Sequence, residues 1–141
     1  MYHKNDLEEL ENLSKDAKRA VIVGGGLIGI ELAEMLITRN IPVTFLVREA
    51  HFWGGVLPEG EAKLIGKHIL EHHIDLRLDT NLKEIVSDEN GRAKAVITEA
   101  GEIIECNIVG LTVGVSPNID FLRDSGIETN RGVWVNRFLE T

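Results

Sequence analysis

Residues 20–33 read AVIVGGGLIGIELA, and this stretch decides the fold. Its first four residues predict a short buried strand, which enters a G-x-G-x-x-G loop that opens directly into a helix. In such a loop Gly24 allows a sharp turn, Gly26 lets the backbone approach a pyrophosphate, and Gly29 lets the helix pack closely. Free amides and the positive end of the helix dipole attract phosphate there without a lysine. The stretch predicts a dinucleotide-binding loop made of Gly24, Gly25, Gly26, Leu27, Ile28 and Gly29.

The segments that follow complete a strand-helix-strand unit. Residues 31–39 continue as a helix, and residues 41–47 predict a second buried strand. Apolar residues at helical spacing predict a further helix over residues 61–72, and residues 74–78 predict a third strand. The predicted fold class is therefore α/β, a Rossmann-like parallel sheet with a βαβ dinucleotide fold.

Three short strands then interrupt the alternation of strands and helices. They are predicted at residues 82–87, 92–98 and 102–106. Asn90-Gly91 and Ala100-Gly101 are typical of the tight turns between such strands, so the pattern indicates a three-stranded antiparallel β-meander used as a crossover. Residues 108–113 are apolar and β-branched, which predicts a return to the parallel sheet as a central strand.

Both ends of the chain differ in character from this central domain, which spans residues 20–115. Residues 1–19 contain a predicted surface helix over 5–18, with Asn5 or Asp6 placed to cap it.

The last part, residues 116–141, has an amphipathic turn at 119–123 and a strand-like run at 133–135. Trp134, Phe138 and Leu139 would need a surface to cover them, so we expect both ends to be cuts through a larger protein.

Composition limits the classes of partner. The chain has 141 residues, enough for one domain, and 15 basic against 23 acidic residues give a net charge of -8, which disfavours nucleic acid or an anionic membrane. The single cysteine, Cys106, leaves no internal disulfide and is expected to be a buried hydrophobe. No leader and no apolar run of about 18 residues is present, which predicts a cytoplasmic protein.

Four ordered motifs resemble one family, the FAD-dependent pyridine nucleotide-disulfide oxidoreductases, including the nitrite reductase and ferredoxin reductase branches. The first is the glycine loop of residues 21–33, and the second is the strand Val43-Thr44-Phe45-Leu46-Val47. The third is Gly114-Val115-Ser116-Pro117-Asn118, and the fourth is the run from Gly126 to Val133, which is similar to the family segment that crosses back into the flavin domain.

The resemblance implies an NAD(P)H-binding domain that holds the cofactor for hydride transfer to FAD. In the family this domain is inserted in the FAD domain, whose own motifs lie outside the present sequence, so the isolated chain is expected to bind and not to catalyse. The resemblance places Leu27 where some relatives have an aromatic gate, Glu31 near the nicotinamide and Gly114 beside the adenosine. Without the resemblance, Leu27 is plain packing, Glu31 is a first-turn acid favoured by the helix dipole, and Gly114 is a turn.

The choice of nicotinamide cofactor depends on the end of the second strand, which reads Val47-Arg48-Glu49. An acid there binds the ribose diol of NAD, and an arginine binds the 2'-phosphate of NADP. Val47 stands where NAD-using relatives have their acid, and Arg48 matches an arginine of NADP-using relatives, which favours NADP. Against this, Glu49 would repel the phosphate, His51 is the nearest second basic group, and Arg48 is equally explained as a surface ion pair.

Two other groups have open interpretations. The loop Phe52-Trp53-Gly54-Gly55 lines the adenine pocket, contacts the flavin domain or covers the local core. His68 and His72 are four residues apart on a helix, but no third ligand is evident, so no metal is predicted.

Two other functions compete with a flavoenzyme domain. A stand-alone NAD(H)-sensing regulatory module would leave no apolar tail, whereas the tail here predicts self-association into a homo-oligomer. A complete small dehydrogenase would need a catalytic Tyr and Lys pair, and the only tyrosine is Tyr2.

Overall fold

The computed structural model describes residues 4–141. Within this range the helices are α1 (Lys4–Ser14), α2 (Leu27–Ile37) and α3 (Glu59–Glu71), with a 3-10 turn at Asp120–Leu122. The strands are β1 (Ala20–Val23), β2 (Val43–Leu46), β3 (Asp75–Arg77), β4 (Leu82–Ser87), β5 (Ala93–Thr98), β6 (Ile103–Glu105) and β7 (Ile108–Leu111).

Four of the strands form a parallel sheet in the order β3-β2-β1-β7. In this sheet β1 lies between β2 and β7, and Val21 is opposite Thr44 on one side and Val109 on the other. Every residue of β2 is buried, as expected for a strand covered on both faces. The structure thus confirms the predicted parallel sheet and its βαβ unit.

The two faces of the sheet are covered by different elements. Ile22 and Phe45 belong to a cluster that also contains buried residues of α2 and α3. Val21 and Leu46, which are next to them in sequence, belong to a second cluster with buried residues from the region of β5 and β6. Side chains alternate across a strand, so one short sequence supplies both cores.

The meander is a separate three-stranded antiparallel sheet in the order β4-β5-β6. Gly91 and Gly101 lie at its two turns with φ of 77° and 86°, a conformation that glycine adopts without strain. Arg77 links the two sheets, since its guanidinium lies 2.6 Å from Asp75 and 3.3 Å from Glu102. The predicted crossover by strands is therefore confirmed.

Helix α1 ends before its predicted limit at residue 18. The amide of Lys15 donates to the carbonyl of Asn12, a tightened last turn, and the amide of Lys18 donates to the side-chain oxygen of Asn107 at 2.8 Å. Because that amide has a partner outside the helix, residues 15–19 run as a connection into β1 instead of a further turn.

Two strand predictions are also wrong in part. In residues 4–141 β7 pairs only with β1, so it is an edge strand and not a central one. Residues 133–135 form no strand, because the one ladder contact in that region is an isolated bridge between Thr129 and Val133. Apolar and β-branched composition predicts an extended chain but does not reveal how many neighbours it pairs with.

The C-terminal part of the described chain, after β7, contributes no buried residue to either core. After Ile108 no residue up to Thr141 is fully buried, and Trp134, Phe138 and Leu139 are 57%, 66% and 80% exposed. Among the helices within residues 4–141, none combines the length and the apolar character needed to cross a bilayer.

The packing of the meander on the parallel sheet can be tested by a substitution in the second cluster. Val96 is fully buried there, so Val96→Ala removes two buried methyl groups and should lower the free energy of unfolding by about 2 kcal/mol. Urea denaturation followed by circular dichroism measures this loss. The control is Val135→Ala, at a valine that is 42% exposed, which should change the stability by less than about 0.5 kcal/mol. Equal effects of the two variants would mean that the meander is not packed on the sheet.

Candidate dinucleotide-binding site

The glycine loop turns sharply at the end of β1. Gly24 has φ of 114°, and its amide donates to the carbonyl of Leu46 at 2.9 Å. A Cβ at this position would lie 2.5 Å from the carbonyl oxygen of Thr112. Both the backbone conformation and the lack of space therefore require glycine at residue 24.

The third glycine of the motif lies where α2 crosses the loop. A Cβ on Gly29 would lie 3.0 Å from the carbonyl oxygen of Gly24 and from the hydroxyl of Thr112, and 3.1 Å from the ring of Phe45. The missing side chain thus lets the first turn of α2 approach both the loop and β2 closely.

Gly26 is the glycine that the chain's own packing does not explain. Its φ of -132° and ψ of -176° are extended values that any residue adopts, and a Cβ there would meet nothing within 4 Å. It is the N-cap of α2 and has no side-chain cap hydrogen bond, so the first amides of the helix are not capped by a side chain. Open space in front of uncapped amides is the geometry that a phosphate group fits.

A cavity of about 560 Å³ lies at the carboxyl edge of the parallel sheet, in front of this loop. Its size is within the range of small-molecule and cofactor sites. It is lined by Val23, Gly24, Gly25, Gly26, Leu46, Arg48, Glu49, Trp53, Gly55, Val56, Thr80, Asn81, Leu82, Leu111, Thr112 and Val113. Carboxyl edges of open α/β sheets are where such proteins bind their ligands.

Arg48 and Glu49 lie together on the wall of the cavity. The guanidinium Nε of Arg48 donates to the carboxylate of Glu49 at 2.8 Å, and their side chains are 78% and 39% exposed. This hydrogen bond and the charge of Glu49 raise the pKa of Arg48. The guanidinium of Arg48 is therefore already paired with a carboxylate of the same chain, that of Glu49.

Val47 does not reach the cavity. It is fully buried, and its methyl carbon lies 2.8 Å from the place that a Cβ on Gly25 would occupy. Val47 therefore packs against the glycine loop at Gly25 and does not face the cofactor cavity. The carboxylate on the cavity wall belongs to Glu49, two residues later.

The aromatic loop after β2 serves two purposes. Phe52 is buried, and its ring meets Phe45 edge-on with centroids 5.3 Å apart, so it covers the core. Trp53 and Gly55 line the cavity, and Trp53 has φ of 57°, which is unusual for a residue with a side chain. Two amide hydrogen bonds to the carbonyl of Trp53, from Val56 and Leu57, hold this turn.

Six of the predicted residues lie outside the cavity wall, and two of them, Gly29 and Val47, pack beneath the loop as described above. Leu27, Ile28 and Glu31 lie on α2 with exposed side chains, and Gly114 is exposed beyond β7 with φ of 123°. Glu31 is the fifth residue of α2 and therefore lies outside the first turn, so an interaction with the helix dipole explains it poorly.

The sequence prediction missed the other wall of the cavity. Thr112 follows β7, and the rule that ligands bind at the carboxyl ends of parallel strands could have identified it. Thr80 and Asn81 precede the meander, and Leu82 is the first residue of β4. No local signal reveals that this segment reaches the cavity.

The remaining candidate groups are not assembled into sites. The rings of His68 and His72 lie 4.5 Å apart on α3, and in the described part of the chain no three potential ligands converge on a metal position. Cys106 is buried in the second cluster, and burial raises the pKa of its thiol.

The parallel sheet, its glycine loop and the meander define a Rossmann-like dinucleotide-binding fold. A chain of the solved covalent putidaredoxin reductase–putidaredoxin complex matches 96% of this chain with a TM-score of 0.85 and 26% identity. The model of the pyridine nucleotide-disulphide oxidoreductase family matches residues 2–141. The chain therefore belongs to the pyridine nucleotide-disulphide oxidoreductase family, which confirms the resemblance seen in the sequence.

Curated relatives agree with this assignment. The chain is 35% identical over 132 residues to rubredoxin-NAD(+) reductase of Acinetobacter baylyi, an alignment that covers 93% of this chain and 34% of that protein. It is 33% identical over 129 residues to NADH oxidase of Enterococcus faecalis, with coverage of 91% and 29%. The chain thus spans about a third of the length of these relatives. Members of the family are enzymes that use FAD and a pyridine nucleotide.

The packing at Gly29 predicts that alanine will destabilise the protein at this position, whereas alanine at a less crowded helical glycine will stabilise it. Gly29→Ala should lower the free energy of unfolding by roughly 1–3 kcal/mol, because the new methyl group overlaps backbone and ring atoms. The matched control is Gly66→Ala in α3, where the methyl group would meet only Leu76 at 3.7 Å. Here the better helix propensity of alanine should raise the stability by up to about 1 kcal/mol. Thermal and urea unfolding measure both, and an unchanged or raised stability of Gly29→Ala would contradict the close approach of α2.

Proposed function

We propose that this chain is the nicotinamide-cofactor-binding domain of an FAD-dependent NAD(P)H oxidoreductase. In this proposal residues 20–115 bind NAD(P)H, residues 1–19 lead in, and residues 116–141 begin the return to the FAD domain. The observation that carries the proposal is the cavity in front of Gly26, at the uncapped start of α2. Membership of the family supports it, since family members use both cofactors.

The pyrophosphate of the cofactor fits the glycine loop. The backbone at Gly25 and Gly26 lines the cavity, and the open space at Gly26 lets phosphate oxygens approach the amides at the start of α2. The adenosine half would then lie toward Arg48, Glu49 and Trp53, which line the same cavity.

The nicotinamide half would extend along the start of α2. Leu27, Ile28 and Glu31 are exposed there. Gly114, exposed beyond β7, would instead lie beside the adenosine. When bound, the reduced nicotinamide supplies a hydride to the flavin. The chain's residues hold and orient the cofactor and supply no catalytic group, so the chain alone should have no oxidoreductase turnover.

The choice between NADH and NADPH depends on competition at Arg48. A guanidinium can bind a 2'-phosphate through two hydrogen bonds, which favours NADPH. The carboxylate of Glu49, 2.8 Å away, already accepts one of its hydrogen bonds and carries the same charge as the phosphate. The names of the two relatives above specify NADH and NAD(+), whereas Arg48 supports NADPH. We propose that the domain accepts both cofactors, with a slight preference for NADPH.

Three variants test the role of the Arg48–Glu49 pair by calorimetric titration with NADH and NADPH. Arg48→Ala should weaken NADPH binding about tenfold or more and change NADH binding little, because only NADPH loses a charge-assisted contact. Glu49→Gln should strengthen NADPH binding about threefold, since it removes a competing negative charge. Arg39→Ala is the control: Arg39 is an exposed arginine that donates to a carbonyl within its own helix region, away from the cavity.

Equal effects of Arg48→Ala on the two cofactors would contradict a role at the 2'-phosphate. Absence of measurable binding of either cofactor by the unmodified chain would contradict the proposed function itself.

The tail supports a role as a connection to a further domain. Three large apolar side chains, Trp134, Phe138 and Leu139, are each more than half exposed within a short segment. We propose that the FAD domain of the longer protein covers these side chains, and that the isolated chain self-associates through them.

Light scattering measures this self-association. We expect the association to be weak, with a dissociation constant on the order of 1 mM, so dimers or larger species should appear at about that concentration. The double variant Phe138→Ser, Leu139→Ser should shift it toward monomer, because it removes two of the most exposed apolar side chains. Leu64→Ser is the control, since Leu64 is 68% exposed on α3. A monomeric chain at all concentrations would overturn the prediction.

A further inference from the structure

We infer that Thr112 is a positioning residue that holds the phosphate loop in its binding conformation. This inference rests on the proposed function and goes beyond it, because it assigns to Thr112, which also lines the cavity, an action on the backbone of the loop through its hydroxyl. It is carried by a pattern of distances around one hydroxyl group at the end of β7.

Thr112 binds the end of β1 twice. Its backbone amide donates to the carbonyl of Val23 at 2.8 Å, and its hydroxyl donates to the same carbonyl at 3.0 Å. The hydroxyl also lies 3.4 Å from the carbonyl oxygen of Gly24, the first residue of the loop. Both peptide groups at the point where the strand becomes the loop are therefore in contact with one side chain.

The same hydroxyl fills the space that two glycines leave. A Cβ on Gly24 would lie 3.1 Å from it, and a Cβ on Gly29 would lie 3.0 Å from it. Thr112 therefore lies at the junction of β1, the loop and the first turn of α2. Part of the reason for glycine at both positions is the presence of this threonine.

A glycine-rich loop needs such a contact because it cannot fix its own conformation. Glycine loses more backbone freedom on ordering than other residues, and a loop that is ordered only on binding weakens the affinity for its ligand. Gly24 is held by β2 on one side, through its amide and the carbonyl of Leu46 at 2.9 Å. On the other side, the hydroxyl of Thr112, just after β7, contacts the carbonyls of Val23 and Gly24. The two strands thus fix the turn before any ligand binds.

The inference is tested by titrating variants of the 141-residue chain with ADP-ribose and with adenosine, observed by NMR chemical shifts. Thr112→Val removes the hydroxyl and keeps the shape, and it should weaken ADP-ribose binding about three- to tenfold, the effect of losing one hydrogen bond. Adenosine lacks the pyrophosphate, so its affinity should stay unchanged. Thr112→Ser keeps the hydroxyl and should bind ADP-ribose like the unmodified chain.

The matched control is Thr44→Val. Thr44 is a buried threonine of β2 whose hydroxyl donates to Asp75, and it does not line the cavity. It should lose stability on removal of its hydroxyl but keep its affinity for ADP-ribose. If Thr112→Val does not fold, Thr112→Ala removes the same hydroxyl without placing a methyl group against the Val23 carbonyl.

The possible results separate the inference from the proposed function. If the unmodified chain does not bind ADP-ribose, the proposed function fails. If it binds, and Thr112→Val or Thr112→Ala binds equally well, the positioning role is overturned while the proposed function stands. An equal loss for adenosine and ADP-ribose would also overturn it, because Thr112 would then act on the adenosine and not on the phosphate loop.

Discussion

The structure depends on the close contact between the end of β1, the glycine loop and the first turn of α2. Carbonyl, hydroxyl and ring atoms lie about as near to Gly29 as atoms can approach a side chain, so no larger residue fits there without a shift. This contact brings α2 down onto the sheet and points its N-terminus at the cavity. Phe45 therefore also supports the glycine loop. The ring of Phe45 is in turn packed against Phe52, which belongs to the aromatic loop after β2. Core packing and the geometry of the candidate site are therefore one constraint.

The candidate site is assembled from segments that are far apart in sequence. The glycine loop, the end of β2 and the end of β7 meet because parallel strands place their carboxyl ends at one edge. The connection at residues 80–82 reaches the same cavity from the start of the meander. The meander therefore covers one face of the sheet, where a doubly wound Rossmann fold has helices, and also contributes part of the cavity wall.

Local signals predicted the elements well and the contacts between them poorly. The loop at residues 24–29, the three parallel strands around it and the turns at Gly91 and Gly101 follow from periodicity and from the conformational freedom of glycine, which are properties of a few adjacent residues. The burial of Val47 depends on how the chain bends after β2, and the strand pattern does not contain that information. A surface ion pair of Arg48 is one of the two interpretations that the sequence leaves open, and the structure shows Glu49 as its partner. The edge position of β7 depends on which strands are present beside it. The tail lacked a strand at residues 133–135 for the same reason, since extended residues form a ladder only with a partner.

The burial of Cys106 has a practical consequence. It is the only cysteine of the chain, it lies between the two sheets, and burial raises the pKa of its thiol, so little thiolate is present to react. A cysteine introduced on the surface would accordingly be alkylated selectively in the native protein. Fluorescent dyes or spin labels can thus be attached at a chosen position with the natural cysteine left in place.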